Sequence, residues 1–173
     1  MRSPGTPSGL FAGGGRAVGP LSSRKEVYMD DLGFEGIAAR IVEETGDAIL
    51  FADRDGVVRL WNRGAERMFG FSAAEAIGQS MDFIIPERLR QRHWDGWKRV
   101  METGVTRYGT EVLAVPALRK DGQTLSIEFT IQLIRDASGR ILGPSAVIRD
   151  VTARFKREKE LRARLKELEA RAG

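Results

Sequence analysis

Over residues 125–133 apolar and polar side chains alternate almost without fault. Leu125, Ile127, Phe129, Ile131 and Leu133 fall on one side, Ser126, Glu128, Thr130 and Gln132 on the other. A period of two marks a strand with one face against a core and the other toward water. The rest of the chain must therefore supply neighbouring strands and something to cover the apolar face.

Neighbouring strands are readily found. The runs AILFA (48–52) and VVRLW (57–61) flank Asp53-Arg54-Asp55-Gly56, and two β-prone runs around an Asp-Gly turn make a hairpin. Residues 106–118 read as one long strand in which Pro116 marks a bulge or a sheet edge. Lys120-Asp121-Gly122-Gln123 turns the chain into the alternating strand, and Asp136-Ala137-Ser138-Gly139 turns it out into a last strand, 141–150.

The cover is helical. Phe34, Ile37, Ala38, Ile41 and Val42 form a stripe at helical spacing, opened by Asp30 or Asp31 and stopped by Gly46. Asn62 caps a short helix at 63–68 that ends at Gly70, and Ser72 caps another at 73–76 closed by Gly78. Helix, two strands, three or four helices, three strands and a final helix make an α+β architecture. It is a five-stranded antiparallel sheet with helices on one face and a pocket between the two layers. The segments divide as a Gly-, Pro- and Ser-rich tail over 1–28, read as disordered, an N-terminal amphipathic helix over 29–46, a domain over 47–152 and a charged helix over 153–173.

The longest covering helix, 86–104, carries the single histidine of the chain. At about 100° per residue, Leu89, His93, Trp97, Val100 and Met101 share one side, and Arg88, Gln91, Arg92, Asp95, Lys98, Arg99 and Glu102 the other. Pro86 suits the first turn and Gly104 the left-handed stop. An imidazole in the apolar stripe must be hydrogen-bonded, by a backbone carbonyl or an acceptor such as Glu111, left neutral at a cost, or bound to a ligand.

Composition removes whole classes of chemistry. With no cysteine there are no disulfides, thiolate metal sites or cysteinyl-flavin adducts, and one histidine leaves too few ligands for a side-chain metal or nucleophile cluster. No Gly-rich phosphate loop lies between a strand and a helix. The amino terminus lacks the apolar run of a signal peptide, and no stretch approaches the ~18 apolar residues that span a bilayer. The expectation is a cytoplasmic protein, without catalysis of its own and without a membrane partner. The basic residues Arg154, Lys156, Arg157, Lys159, Arg162, Arg164, Lys166 and Arg171 are offset by Glu158, Glu160, Glu167 and Glu169, with no aromatics interleaved to stack on bases. That is a solvated helix face, not a nucleic-acid arm.

Several motifs in register resemble the PAS domain family: the hairpin ADRDGVVRLWN, then Asn62-Arg63-Gly64-Ala65-Glu66-Arg67-Met68-Phe69-Gly70-Phe71, then Glu75 and Gly78, Arg119-Lys120-Asp121-Gly122, and the closing Ile148-Arg149-Asp150-Val151-Thr152. The resemblance covers about residues 33–152. It implies a module that senses or dimerises and relays a change through its flanking helices, the Asp-x-Thr motif joining the last strand to the outgoing helix.

Within that family, Pro86-Glu87, Arg90, His93, Arg99, Thr103 and Gly104 resemble the haem-bearing helix of oxygen sensors of the FixL type. By that resemblance His93 is the axial ligand of the iron of haem b, and Arg99 and Arg107 are partners for the haem propionates. Leu89, Trp97, Leu113, Val115, Ile127, Phe129, Ile131 and Val147 would line the pocket. Leu113 stands where those sensors carry an oxygen-bonding arginine, so CO, NO or redox sensing is as well supported as oxygen sensing. A ligand would shift the strands around Leu113 and Ile131, and the shift would reach the helix after Asp150. The alternatives are a cofactor-free dimerisation or protein-interaction module, in which Trp94, Trp97 and Trp61 are ordinary packing, and a sensor of another small apolar molecule.

Leu161, Leu165, Leu168 and Ala172 follow four-three-four spacing after Val151 and Phe155, the seam of a short coiled coil. The expected partners are a second copy, as a homodimer, and a downstream signalling protein whose identity the sequence does not reveal. The other reading of that helix is one packed back on its own sheet.

Overall fold

A computed structural model describes residues 33–172; the expected tail over 1–28 and the caps at Asp30 or Asp31 lie outside the described residues. The chain divides into two compact units, 1–37 and 38–173; of the first only the opening of helix α1 (Gly33–Glu44) is described. From there follow β1 (Ala48–Ala52), β2 (Val58–Trp61), α2 (Arg63–Phe69), α3 (Ala73–Ala76) and a 3₁₀ turn, Met81–Ile84. Then come α4 (Glu87–Thr103), a second 3₁₀ turn, β3 (Leu113–Leu118), β4 (Thr124–Arg135), β5 (Ile141–Asp150) and α5 (Thr152–Ala172). The strands form one antiparallel sheet in the order β2-β1-β5-β4-β3.

Register sorts the sheet into two faces. Opposite Phe129 stand Leu113 on β3 and Ile148 on β5, and opposite Ile131 stands Ala146. Ile148 and Ala146 in turn face Ala48 and Leu50 of β1, and Leu50 faces Trp61. This is the inner face, and with Phe69, Ala65, Ala76 and Ile84 it makes the buried core. The period-two reading of β4 is thus the register of the whole sheet.

The turns behave as their residues dictate. Asp53 Oδ1 accepts from the backbone N–H groups of Asp55 and Val57, and Gly56 closes the hairpin at φ 77°. Gly104 ends α4 in the left-handed region, its N–H reaching Val100 O at 2.9 Å. Asn62 caps α2 through Ala65 N–H at 2.9 Å.

One expected element is shorter than its sequence suggested. Of residues 106–118 only Leu113–Leu118 is strand, and Arg107–Gly109 forms a 3₁₀ turn instead. β3 pairs with β4 only up to Leu113 opposite Phe129, although β4 runs on to Arg135, and the chain before Leu113 meets β4 through a side chain instead, Gln132 Nε2 donating to Gly109 O at 3.1 Å. Pro116 sits on this edge strand, where its missing N–H costs no ladder bond.

Candidate functional site

Helix α4 contributes only Met101 to the buried core. Polar contacts fasten much of it. The Arg90 guanidinium donates to Asp82 O at 3.1 Å and Ile85 O at 3.3 Å. Trp94 Nε1 donates to Asp82 Oδ1 at 2.9 Å, and Trp97 Nε1 to Arg54 O at 3.0 Å. At the far end, Arg135 donates to Gly104 O at 3.2 Å. The indole of Trp94 lies so close over the hairpin turn that a Cβ on Gly56 would stand 2.3 Å from it.

His93 lies among these indoles. Its ring meets Trp94 edge-on, with centroids 4.8 Å apart, and Trp97 tilted at 5.7 Å. Nδ1 is buried and, among the described residues, is the one buried side-chain polar atom left without a hydrogen-bond partner. Burial pushes the His93 pKa below the ordinary imidazole value, partly opposed by the charge of Asp82. Of the states the sequence allowed, neither the carbonyl nor the Glu111 bond forms, and Glu111 is exposed. What remains is a neutral imidazole with an unused nitrogen, which costs about 1–3 kcal/mol unless something binds it. A neutral imidazole is also the form that ligates a metal.

The strand residues expected to line a pocket do gather on the inner face. Leu113 faces Phe129 and Val115 faces Ile127 across β3 and β4, with Ile131 one step along. Ile127 is buried, whereas Leu113, Val115, Phe129 and Ile131 are half-buried. The helical layer therefore covers this part of the sheet incompletely. Leu89 and Trp97 are half-buried with His93 on α4.

Two expected residues are placed elsewhere. Val147 is 40% exposed and pairs with Thr130 on the outer face, because its neighbours Ala146 and Ile148 already take the inner positions of β5. It does not line the pocket. Arg99 is exposed on the side of α4 turned away from His93, as the helical projection requires, so the shared helix does not make it a partner to a group held by His93. The side chain of Arg107 lies outside the described residues.

Asp82 and Arg54 were missing from the sequence-derived site. Both hold α4 through contacts that span 12 and 43 residues of chain, and no local pattern marks them. Among the described residues there is no group of three or more His, Cys, Asp or Glu placed to hold a metal ion, and no described helix is long and apolar enough to cross a membrane.

A five-stranded antiparallel sheet in the order β2-β1-β5-β4-β3, with helices between β2 and β3 along the chain, is the architecture of one known class of small domains. The chain belongs to the PAS fold family, whose model matches residues 42–156. It is 33% identical over 129 residues to an uncharacterised protein of Azorhizobium caulinodans, covering 71% of this chain and 17% of that one. Over 130 residues it is 29% identical to the sensor protein FixL of Bradyrhizobium diazoefficiens, covering 75% of this chain and 25% of FixL. Among solved structures, the PAS domain of a Colwellia psychrerythraea protein superposes with a TM-score of 0.60 at 25% identity, covering 68% of this chain and 96% of that domain. The chain thus spans a quarter or less of the length of these two relatives. It is a PAS sensory signal-transduction domain, related to sensor proteins such as FixL.

Proposed function

We propose that this PAS domain is a haem-based gas or redox sensor in which His93 holds haem b. The observation that supports it is the buried Nδ1 of His93, unpartnered and neutral, in a chain whose inner sheet face keeps Leu113, Val115, Phe129 and Ile131 only half-buried. When bound, haem would supply an iron that takes a diatomic ligand or changes oxidation state. Leu89, Trp97, Leu113, Val115, Ile127, Phe129 and Ile131 exclude water and offer no hydrogen-bond donor apart from the Trp97 indole, which is already engaged by Arg54 O. A pocket without a free donor favours CO, NO or redox sensing over tight oxygen binding.

The domain acts without catalysis, as a cytoplasmic homodimer, and passes its change through α5 to a downstream signalling partner. The experiment is an absorption titration of purified protein with hemin, followed by dithionite and CO. Stoichiometric uptake with a Soret band that moves on reduction and is lost in His93→Ala supports the reading. No uptake overturns it.

The packing of His93 against Trp94 and Trp97 favours a second reading, a cofactor-free interaction module whose helix layer is closed by its own aromatic side chains. In that case His93→Leu is at least as stable as the parent, since it removes an unpaired buried nitrogen.

A further inference from the structure

We propose that Asp82 is the positioning residue for His93, aiming the imidazole through the indole of Trp94; the proposal rests on the reading of His93 as the residue that holds haem. Arg90, His93, Trp94 and Trp97 follow one another at i, i+3, i+4 and i+7, so they share one face of α4. Three of the four give their N–H groups to a fixed acceptor. Arg90 and Trp94 reach Asp82 and Ile85 just before the helix, and Trp97 reaches the β1–β2 hairpin. His93 stands between them. A histidine ring turns readily about its last torsion unless its neighbours stop it, so the indoles on either side set its direction.

Of the two indoles, Trp94 is held at both ends. Its Nε1 is bonded to Asp82 Oδ1, and the six-membered ring at the far end rests on Gly56. This bar meets the imidazole edge-on, at 77°. Trp97 lies farther from the imidazole and is tilted to it at 43°.

Asp82 is held in turn. Its N–H donates to Ser80 Oγ at 3.4 Å, and its carbonyl accepts from Ile85 N–H at 3.2 Å and from Arg90 at 3.1 Å. The 3₁₀ turn Met81–Ile84 and the first half of α4 thus form one unit around Asp82, and the imidazole belongs to it. The anchors of the second half, Arg54 O and Arg135, lie beyond Gly96. That residue is exposed, and no atom stands within 4 Å of where its Cβ would be, so nothing there ties one half to the other. The Asp82 charge also reaches the imidazole, opposing the effect of burial. Groups behind a metal ligand fix its orientation, and losing one typically weakens metal binding about 10–100-fold.

The test follows the single histidine of the full chain, labelled with carbon-13 and free of any ligand. Asp82→Ala is expected to lower the NMR order parameter of the His93 ring, while the backbone of residues 90–100 and the Trp61 indole N–H signal stay as in the parent. Asp82→Asn keeps an oxygen for the Trp94 N–H and is expected to recover the rigid ring. Trp94→Phe breaks the same bond from the other side and is expected to free the ring as Asp82→Ala does, so a failure of Asp82→Ala to fold leaves the comparison intact. Hemin affinity, read from the Soret band, is expected to fall about 10–100-fold in Asp82→Ala and to return in Asp82→Asn. A ring as rigid in Asp82→Ala or Trp94→Phe as in the parent overturns the positioning role. A backbone that loosens together with the ring makes Asp82 a brace of the helix and overturns it too. Asp82→Asn behaving like Asp82→Ala does the same, since charge and not the indole bond then holds the ring. A parent that takes up no hemin overturns the haem reading, and the order parameters still decide whether Asp82 aims His93.

Discussion

The side-chain amide of Asn62 donates to the carbonyl of Val42 across 2.7 Å, fastening the last turns of α1 to the junction of β2 and α2. The same amide reaches Asp47 O at 3.1 Å, while Oδ1 accepts from Ile49 N–H at 2.8 Å and Ala65 N–H at 2.9 Å. At 1% exposure, all four hydrogen bonds of the side chain are made within the protein. Asn62→Ala strands backbone donors on two elements and is expected to cost about 2–4 kcal/mol, the sum of a lost cap and an unsatisfied buried group. Asn62→Asp keeps the acceptor but turns a carboxylate oxygen toward two carbonyls, so it should recover only part of that loss. Urea unfolding of the three proteins checks the order.

His93 provides a pH signature that no other histidine can confuse, since the chain has only one. Its pKa is lowered by burial, so the folded protein binds the proton more weakly than the unfolded chain. Stability tied to neutral His93 is complete above about pH 6.5 and is lost as pH falls through the lower folded pKa. For protein free of any ligand, the urea midpoint is expected to fall between about pH 7.5 and about 5.5, and to do so much less in His93→Leu. Equal slopes in the two proteins would contradict the burial of the imidazole.

Glu75 titrates in a different window. The Lys120 ammonium and the Ser72 backbone N–H and hydroxyl hold its carboxyl down at about 2. The stabilisation from its charge is present above the unfolded value of about 4.5 and disappears as pH falls toward 2. Glu75→Gln should flatten this part of the acid unfolding curve, and raised salt should flatten it too, because both partners are half exposed.

The contact of Trp94 with Gly56 is open to a double-mutant cycle. Gly56→Ala puts a methyl group into the indole at a left-handed φ of 77° and should cost about 2–4 kcal/mol. In a Trp94→Ala background the steric part vanishes and only the backbone strain remains, so the cost should roughly halve. Additive costs would mean that the ring does not rest on the turn.

Much of the fold could be read from residues that act locally. The alternation through Leu133, the Asp53–Gly56 turn, the Asn62 and Ser72 caps and the Gly104 stop each depend on neighbours within a few positions, and each is where it was expected. The candidate site was legible by halves. Period two places Ile127, Phe129 and Ile131 on one face, whereas Leu113, Val115 and Val147 follow only from the resemblance, and register sets the first two on that face and Val147, opposite Thr130, on the other.

The sequence by itself determined which residues are apolar on which face of each element, and where each element turns, since both follow from short-range sterics and spacing. Only the tertiary structure decided what stands opposite what. Register sent Val147 outward and Ile148 inward, a 3₁₀ turn took the place of strand at 107–109, and Asp82 and Arg54 came to peg α4 by its indoles. Those pairings join residues far apart in the chain, and their free energy exists only once the sheet has closed. The same closure buried His93 Nδ1 without a partner, which no local pattern could have foretold.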